Sequence, residues 1–307
     1  MYMRKSYFLI ILSLLLCSCS FAKKDDKMMA SKDIVKLIDK AKDVVIFDKI
    51  ITDDLDFSNI ENQIIDGNAN VNHTVTKDIV FIKCVFLGKV FASKKETTSH
   101  KTLFAGNVTF RTCDFRGELD LSNVVVNGCL SFAQSTFREN ASFNGLQVKG
   151  NSSHFWDINA EKDFSMVKSS TVGSLNFMDA HFAGACMLQG TDCNTLQFSN
   201  VQCDSTLDFS TSSFRNSLFM NYGTFNGAVN FSKCQMNSSD IMNCQFLDNI
   251  DFSNSIILGL LRFNGSKFKG EVDSNKSFFL VQPSTEGIET SKPFKINVVN
   301  YSQLEIK

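Results

Sequence analysis

The chain has 307 residues, enough for one large domain or two ordinary ones. Thirty phenylalanines stand against one tryptophan, four tyrosines and two prolines, so one structural slot is filled many times over. A formal net charge of −1 speaks against the basic footprint of a nucleic-acid binder and against a strongly acidic nucleic-acid mimic.

Arg4 and Lys5 precede an apolar run over residues 7–16 that only Ser13 interrupts. That is a signal-peptide pattern, too short to span a bilayer as a resident helix. It ends in Leu16-Cys17-Ser18-Cys19. A leucine, two small residues and a cysteine resemble the lipobox of bacterial lipoproteins. The resemblance covers about the first twenty residues. It implies that residues 1–18 are removed and that Cys19 carries the lipid, palmitate-type acyl chains tying the chain to a membrane of the cell envelope. Cys17 is the rival acceptor, but it would put bulky Leu16 where cleavage needs a small residue. An ordinary secretory signal with two incidental cysteines is the alternative. Ser20, where an aspartate would matter, implies the outer membrane in a source that has two.

Residues 19–30 are polar and charged and are expected to form a tether. Over residues 31–43, Ile34, Val35, Leu37, Ile38 and Ala41 make one stripe at helical spacing, with Ser31 as N-cap. This predicts a short amphipathic α-helix that covers the first open edge of the β-structure beyond it; a membrane-lying helix is the other reading.

Residues 108–148 then set the pattern. Phe110, Phe115, Leu121, Val126, Phe132, Phe137, Phe143 and Val148 are separated by steps alternating between five and six. The register returns at Phe177, Phe182 and Leu188. Cys193, Phe198, Cys203, Phe209 and Phe214 keep it with one shortened step, and Phe225, Phe231, Met236, Phe246, Phe252, Ile257, Phe263 and Phe268 carry it on. Between Phe214 and Phe225 the inward residue is either Phe219 or Met220. Upstream, Ile46, Phe57, Val71, Phe81 and Phe86 fit more loosely.

Two residues past many of these centres stands a glycine (Gly88, Gly106, Gly117, Gly145, Gly184, Gly227, Gly265, Gly270) or an asparagine (Asn59, Asn123, Asn200, Asn254). Both types tolerate positive φ, so each short strand is expected to end in a turn with one left-handed residue. Two residues before the centres stand small or apolar residues such as Leu119, Leu130, Leu207, Val229, Cys113 and Cys234, on the same face of an extended strand. Four corners close a coil of about 22 residues, and coils stack at roughly 4.8 Å. The fold class is therefore all-β: a right-handed, quadrilateral parallel β-helix, a solenoid with a Phe-rich interior and a short N-terminal capping helix.

Units such as Phe115-Arg116-Gly117-Glu118-Leu119-Asp120-Leu121 and Phe225-Asn226-Gly227-Ala228-Val229-Asn230-Phe231 resemble the pentapeptide-repeat family in its Phe-rich, five-plus-six form. The resemblance covers about residues 44–279 and is strongest over 108–148 and 177–270. The A-D/N-L-x-x form of that family does not stand here, so the functions of those members are not carried over. Residues 92–102 and 150–163 lose the register and are expected to be loops leaving the coil. Residues 280–307 are expected to form a C-terminal cap or tail, with a last strand over 294–299.

Chemistry is sparse. Eight cysteines lie beyond the signal, six of them in inward slots, with Cys129 and Cys186 just off register and no CxxC spacing. Buried thiols are expected, with a bridge across one coil left open. His73, His100, His154 and His181 are widely spaced. His154 and Trp156 are the candidate binding residues of the second loop, unless Trp156 merely anchors it. No catalytic, cofactor-binding or metal-binding set emerges. The expected function is a non-enzymatic, lipid-anchored envelope scaffold that presents a rigid surface to a protein or glycan, with no nucleic-acid partner. A carbohydrate-active β-helix enzyme, with a cleft near His100 and His154, is the alternative. A topoisomerase-binding DNA mimic, known among pentapeptide-repeat relatives, is the third reading.

Overall fold

The computed structural model describes residues 27–40, 42–65, 71–95, 99–294 and 296. It is a parallel β-solenoid with one α-helix, Ser31–Asp39. One coil shows the plan. Asp114–Phe115 lies on face A, Leu119–Asp120 on face B, Val125–Val126 on face C and Leu130–Ser131 on face D. The chain then returns to face A at Thr136–Phe137, which pairs in parallel with Asp114–Phe115 22 residues earlier. Twelve strands stack this way on face A and ten on face B, while faces C and D share a third sheet.

The alternation of five and six reflects two kinds of corner. The five-residue steps, such as Leu121 to Val126 and Phe132 to Phe137, run through the B–C and D–A corners. There the second residue after the inward one is left-handed: Asn123 (φ 60°), Gln134 (φ 60°), Gly145 (φ 68°), Asn200 (φ 56°), Asn254 (φ 58°) and Gly265 (φ 69°) among them. The six-residue steps run through the A–B and C–D corners, where Gly117, Gly184 and Gly227 sit. These three glycines are not left-handed, against the sequence expectation. They are glycine because the coils touch there: a Cβ on Gly117 would strike the backbone of Gly88 one coil below, one on Gly184 that of Lys162, and one on Gly227 would lie 2.6 Å from Ser205 C. Most left-handed sites carry larger residues, Lys83, Thr112, Lys168 and Tyr222 included.

Burial follows the inward columns. Phe110, Phe115, Leu121, Phe132, Phe137, Phe143, Phe177, Phe182, Phe209, Phe214, Phe225, Phe231, Phe252, Phe263 and Phe268 are all at most 2% exposed. Rings stack from coil to coil, as in Phe81–Phe110 and Phe110–Phe132, both 4.9 Å between centroids. Met220 takes the inward slot and Phe219 faces out, paired with Gln197 and Asp240. Cys186 stands in the face-B inward slot, between Phe164 and Leu207, and is thus in register.

At many corners the position after the left-handed residue has its own chemistry. Ser135, Ser169, Thr191, Ser212, Ser255 and Ser266 are buried there, and each donates to a main-chain carbonyl of the coil below, as in Ser169 Oγ to Phe143 O (2.7 Å) and Ser212 Oγ to Leu188 O (2.8 Å). Cys234 and Cys244 occupy equivalent positions, donating to Phe209 O (2.9 Å) and Met220 O (2.7 Å). These cysteines replace serines in a hydrogen-bonded slot, not merely small hydrophobes.

Four further expectations need correction. Residues 150–163 do not leave the coil: Ser152–His154, Asn159–Ala160 and then Phe164–Ser165 continue faces D, A and B. An extra residue at the C–D corner lengthens the register to 23, as in Leu130 with Ser153, and Ala160 fills a Phe slot. Phe164 swells inward from face B in compensation, 6.2 Å from Phe137 and 5.3 Å from Phe182. Residues 92–102 form no loose loop either. Ser93–Lys95 and Ser99–Phe104 make an antiparallel hairpin, stacked in parallel on a second hairpin strand, Val71–Val75. The tether is shorter than expected, since Met28–Met29 is already a face-A rung on Ile50–Ile51, again 22 residues apart. The helix ends at Asp39, and Ser31 is its first residue rather than its cap; the Asp53 carboxylate of the next rung accepts from both Ser31 N and Ser31 Oγ at 2.8 Å. At the other end Glu289–Thr290 adds a face-A rung, and Phe294 packs edge-on to Phe263 and against Phe268. The last strand expected over 294–299 falls mostly outside the described residues.

Candidate interaction surface

Because inward side chains alternate with outward ones, each face presents one column of outward residues, one per coil. On face A that column runs Asp114, Thr136, Asn159, His181, Gln202, Thr224, Gln245, Lys267. A second column stands two residues further on, at the A–B corner, and includes Arg116, Arg138, Glu161, Asp204 and Asn226. The two interlock. Arg116 Nε donates to Asp114 Oδ2 (3.0 Å) and Arg138 Nε to Asp114 Oδ1 (2.7 Å), while Arg138 also reaches Glu161 (3.3 Å). Higher up, His181 Nδ1 meets Asn159 Oδ1 (3.0 Å) and its Nε2 meets Asp204 Oδ2 (2.7 Å). Gln202 and Asn226 donate to the other Asp204 oxygen at 2.8 and 3.0 Å.

The electrostatics follow. Hydrogen bonds from Gln202 and then His181 hold the Asp204 carboxyl below the ordinary carboxylate range. At Asp114 partial burial works upward, but the guanidinium groups of Arg138 and Arg116 prevail and lower it. Both ring nitrogens of His181 are engaged, so the imidazole is held as a fixed part of the surface. The result is a flat wall of charge and hydrogen-bonding groups, repeated at roughly 4.8 Å. Face B differs. Its outward Asp120, Asp208, Asn230, Asp251 and Asp273 are spent locally, each accepting from the main-chain N–H two residues on.

His154 and Trp156 lie on the wall rather than on a loop. His154 is a face-D outward residue between Ser131 and Asn176 in the stack; its Nδ1 is buried and has no hydrogen-bond partner. Trp156 is half-buried at the D–A corner, and Phe155 between them belongs to the core column. The cleft imagined between two loops therefore loses its second wall. His100 stands in the hairpin strand Ser99–Phe104. Cys19 lies outside the described residues. The eight described cysteines are unbridged. Burial pushes the thiols of Cys193, Cys234 and Cys244 up to about 12. Among the described residues no group of three or more His, Cys, Asp or Glu is placed to hold a metal ion, and no helix is long and apolar enough to cross a membrane.

Sequence reasoning missed the His181 cluster because its members are far apart in the chain. Their spacing of 21–23 residues, one coil, is the signal that joins them. No family model, curated protein or solved structure matches the chain.

Proposed function

We propose that this chain is a non-enzymatic, lipid-anchored scaffold of the cell envelope, held through acyl groups on Cys19 and presenting face A to a protein or glycan. The observation that carries the reading is the face-A network. It ties side chains of successive coils, from Asp114 to Glu161 and from Asn159 to Asn226, into a preformed polar surface. The column phenylalanines, the buried serines and cysteines and the corner glycines serve the interior or the turns, which leaves the outward columns for recognition. An ordered surface loses little side-chain freedom on binding, which favours an extended partner with repeated polar groups. Near-neutral charge makes nucleic acid a poor candidate. The envelope location and the outer membrane, where two membranes exist, rest on Leu16-Cys17-Ser18-Cys19 and Ser20. The test is metabolic labelling with an alkyne-bearing palmitate analogue. The wild-type chain should take up label and partition with membranes; Cys19→Ser should do neither. Labelling that survives Cys19→Ser would overturn the anchor.

A further inference from the structure

The outward columns are polar along most of the solenoid but not at its N-terminal end. On face D, Val45 is followed one coil on by Val80, and only then by Thr109. Beside them Phe47 is followed by Ile82 and then by Arg111. On face A the column runs Met28, Ile50, Val85 before reaching Asp114. Leu87 extends the patch, and Arg116 stands in the equivalent place on the next coil. Met28, Val45, Phe47 and Leu87 are 62%, 68%, 57% and 41% exposed. The outward strand positions on the first rungs of two adjacent faces are thus apolar, with the Lys27–Asp48 ion pair (2.6 Å) at the corner between them, and a girdle of Arg111, Asp114 and Arg116 closes the patch. At its centre Lys83 Nζ lies 5.7 Å from the Phe47 ring, an apolar stem with a cationic tip.

We infer that this belt rests on the surface of the lipid bilayer, so that the solenoid stands on the membrane by its N-terminal end. The inference rests on the reading of Cys19 as the anchor. Seven residues stand between Cys19 and Lys27, where the described chain begins. Fully extended, the eight Cα–Cα steps reach at most about 29 Å, against a rod on the order of 50 Å long for eleven stacked coils. The tether therefore delivers the end that carries the belt to the bilayer first. Exposed Phe, Val, Leu and Met bounded by charged groups match the step from acyl chains to headgroups at a bilayer surface. A second copy is the competing occupant, because Val44–Phe47 pairs on one side only among the described residues.

The test uses the full acylated protein in phosphatidylethanolamine–phosphatidylglycerol vesicles doped with lipids brominated near the headgroup. In a Trp156→Phe background, Phe47→Trp and, separately, Leu87→Trp place a single indole in the belt. Val281→Trp places one near the C-terminal end. The expected result is at least twofold quenching with a blue shift at positions 47 and 87 and none at 281. If the protein floats with the vesicles while positions 47 and 87 respond as position 281 does, the anchor stands and the belt contact is wrong. Indoles at 47 and 87 that are shielded but unquenched, in a protein that cross-links as a dimer, would give the belt to a second copy and overturn the proposal. Failure to float at all would remove the anchor reading and this inference with it.

Discussion

At about half of the corners a buried serine, threonine or cysteine follows the left-handed residue and donates to the carbonyl of an inward residue one coil below, whereas at others, such as Asn123–Val124 and Asn200–Val201, the same place is apolar. Cys234 donates so to Phe209 as Ser255 does to Phe231, at 2.9 and 2.5 Å. Cys234→Ser should therefore leave the melting temperature nearly unchanged. Cys234→Ala removes one of two donors to Phe209 O, which keeps the Ser212 N–H at 3.0 Å, and should cost about 1 kcal/mol in denaturant unfolding. Equal effects of the two substitutions would show that volume alone matters there. Asp53 offers a pH readout. The backbone N–H of Ser31, then its hydroxyl, holds the carboxyl below its ordinary value. That contribution is full at neutral pH and is lost as pH falls through the depressed value. Asp53→Ala removes both acceptors and should lower helix stability at pH 7, by about 1 kcal/mol, and should remove the acid-side loss that this carboxylate gives the wild type. The hydrogen-bonded slot was only half legible in the sequence. Cys113, Cys234 and Cys244 stood out as inward, but their kinship with the serines depends on which corner precedes them.

The corner is the unit in which this fold is written. In the first two coils the B–C corner is expanded into the hairpins; beyond Phe104 the five-residue sides with a left-handed residue keep their length, and the variation falls on the C–D corner. There the step is seven from Val148 to Phe155 and five from Cys193 to Phe198, with register shifts inside the long strands Ser170–Asn176, Asp192–Gln197 and Ser213–Phe219. One residue inserted after Asn127, at a C–D corner, should be tolerated with a small fall in melting temperature. The same insertion after Asn123 breaks a left-handed turn and pushes Val126 out of the core, and should unfold the neighbouring coils. Comparable melting of both variants would refute this division of corners. The alternation of five and six was plain in the sequence, and with it the solenoid. The division into corner types was not, because φ is set by stacking, and Lys83, Gln134 and Tyr222 adopt it without the usual residue preference. Residues 150–163 escaped for a related reason: Ala160 and Phe164 exchange bulk across two faces, which no single-column pattern records.

At the scale of the whole molecule, stability is close to a sum over neighbouring coils. Phe132→Ala, which opens a gap between Phe110 and Phe155 in mid-column, should cost about 3–5 kcal/mol and lower the cooperativity of melting as the two halves separate. A solenoid built this way is stiff and offers its walls along its length. The clearest check of the proposed role is photocrosslinking in growing cells, with a benzophenone amino acid placed at Ala183, exposed beside the His181–Asp204 cluster, or at Gln235, exposed on face C. The expected result is a discrete adduct with an envelope protein or glycan from position 183 and none from position 235. No adduct from position 183, or equal adducts from both, would contradict a recognition surface on face A.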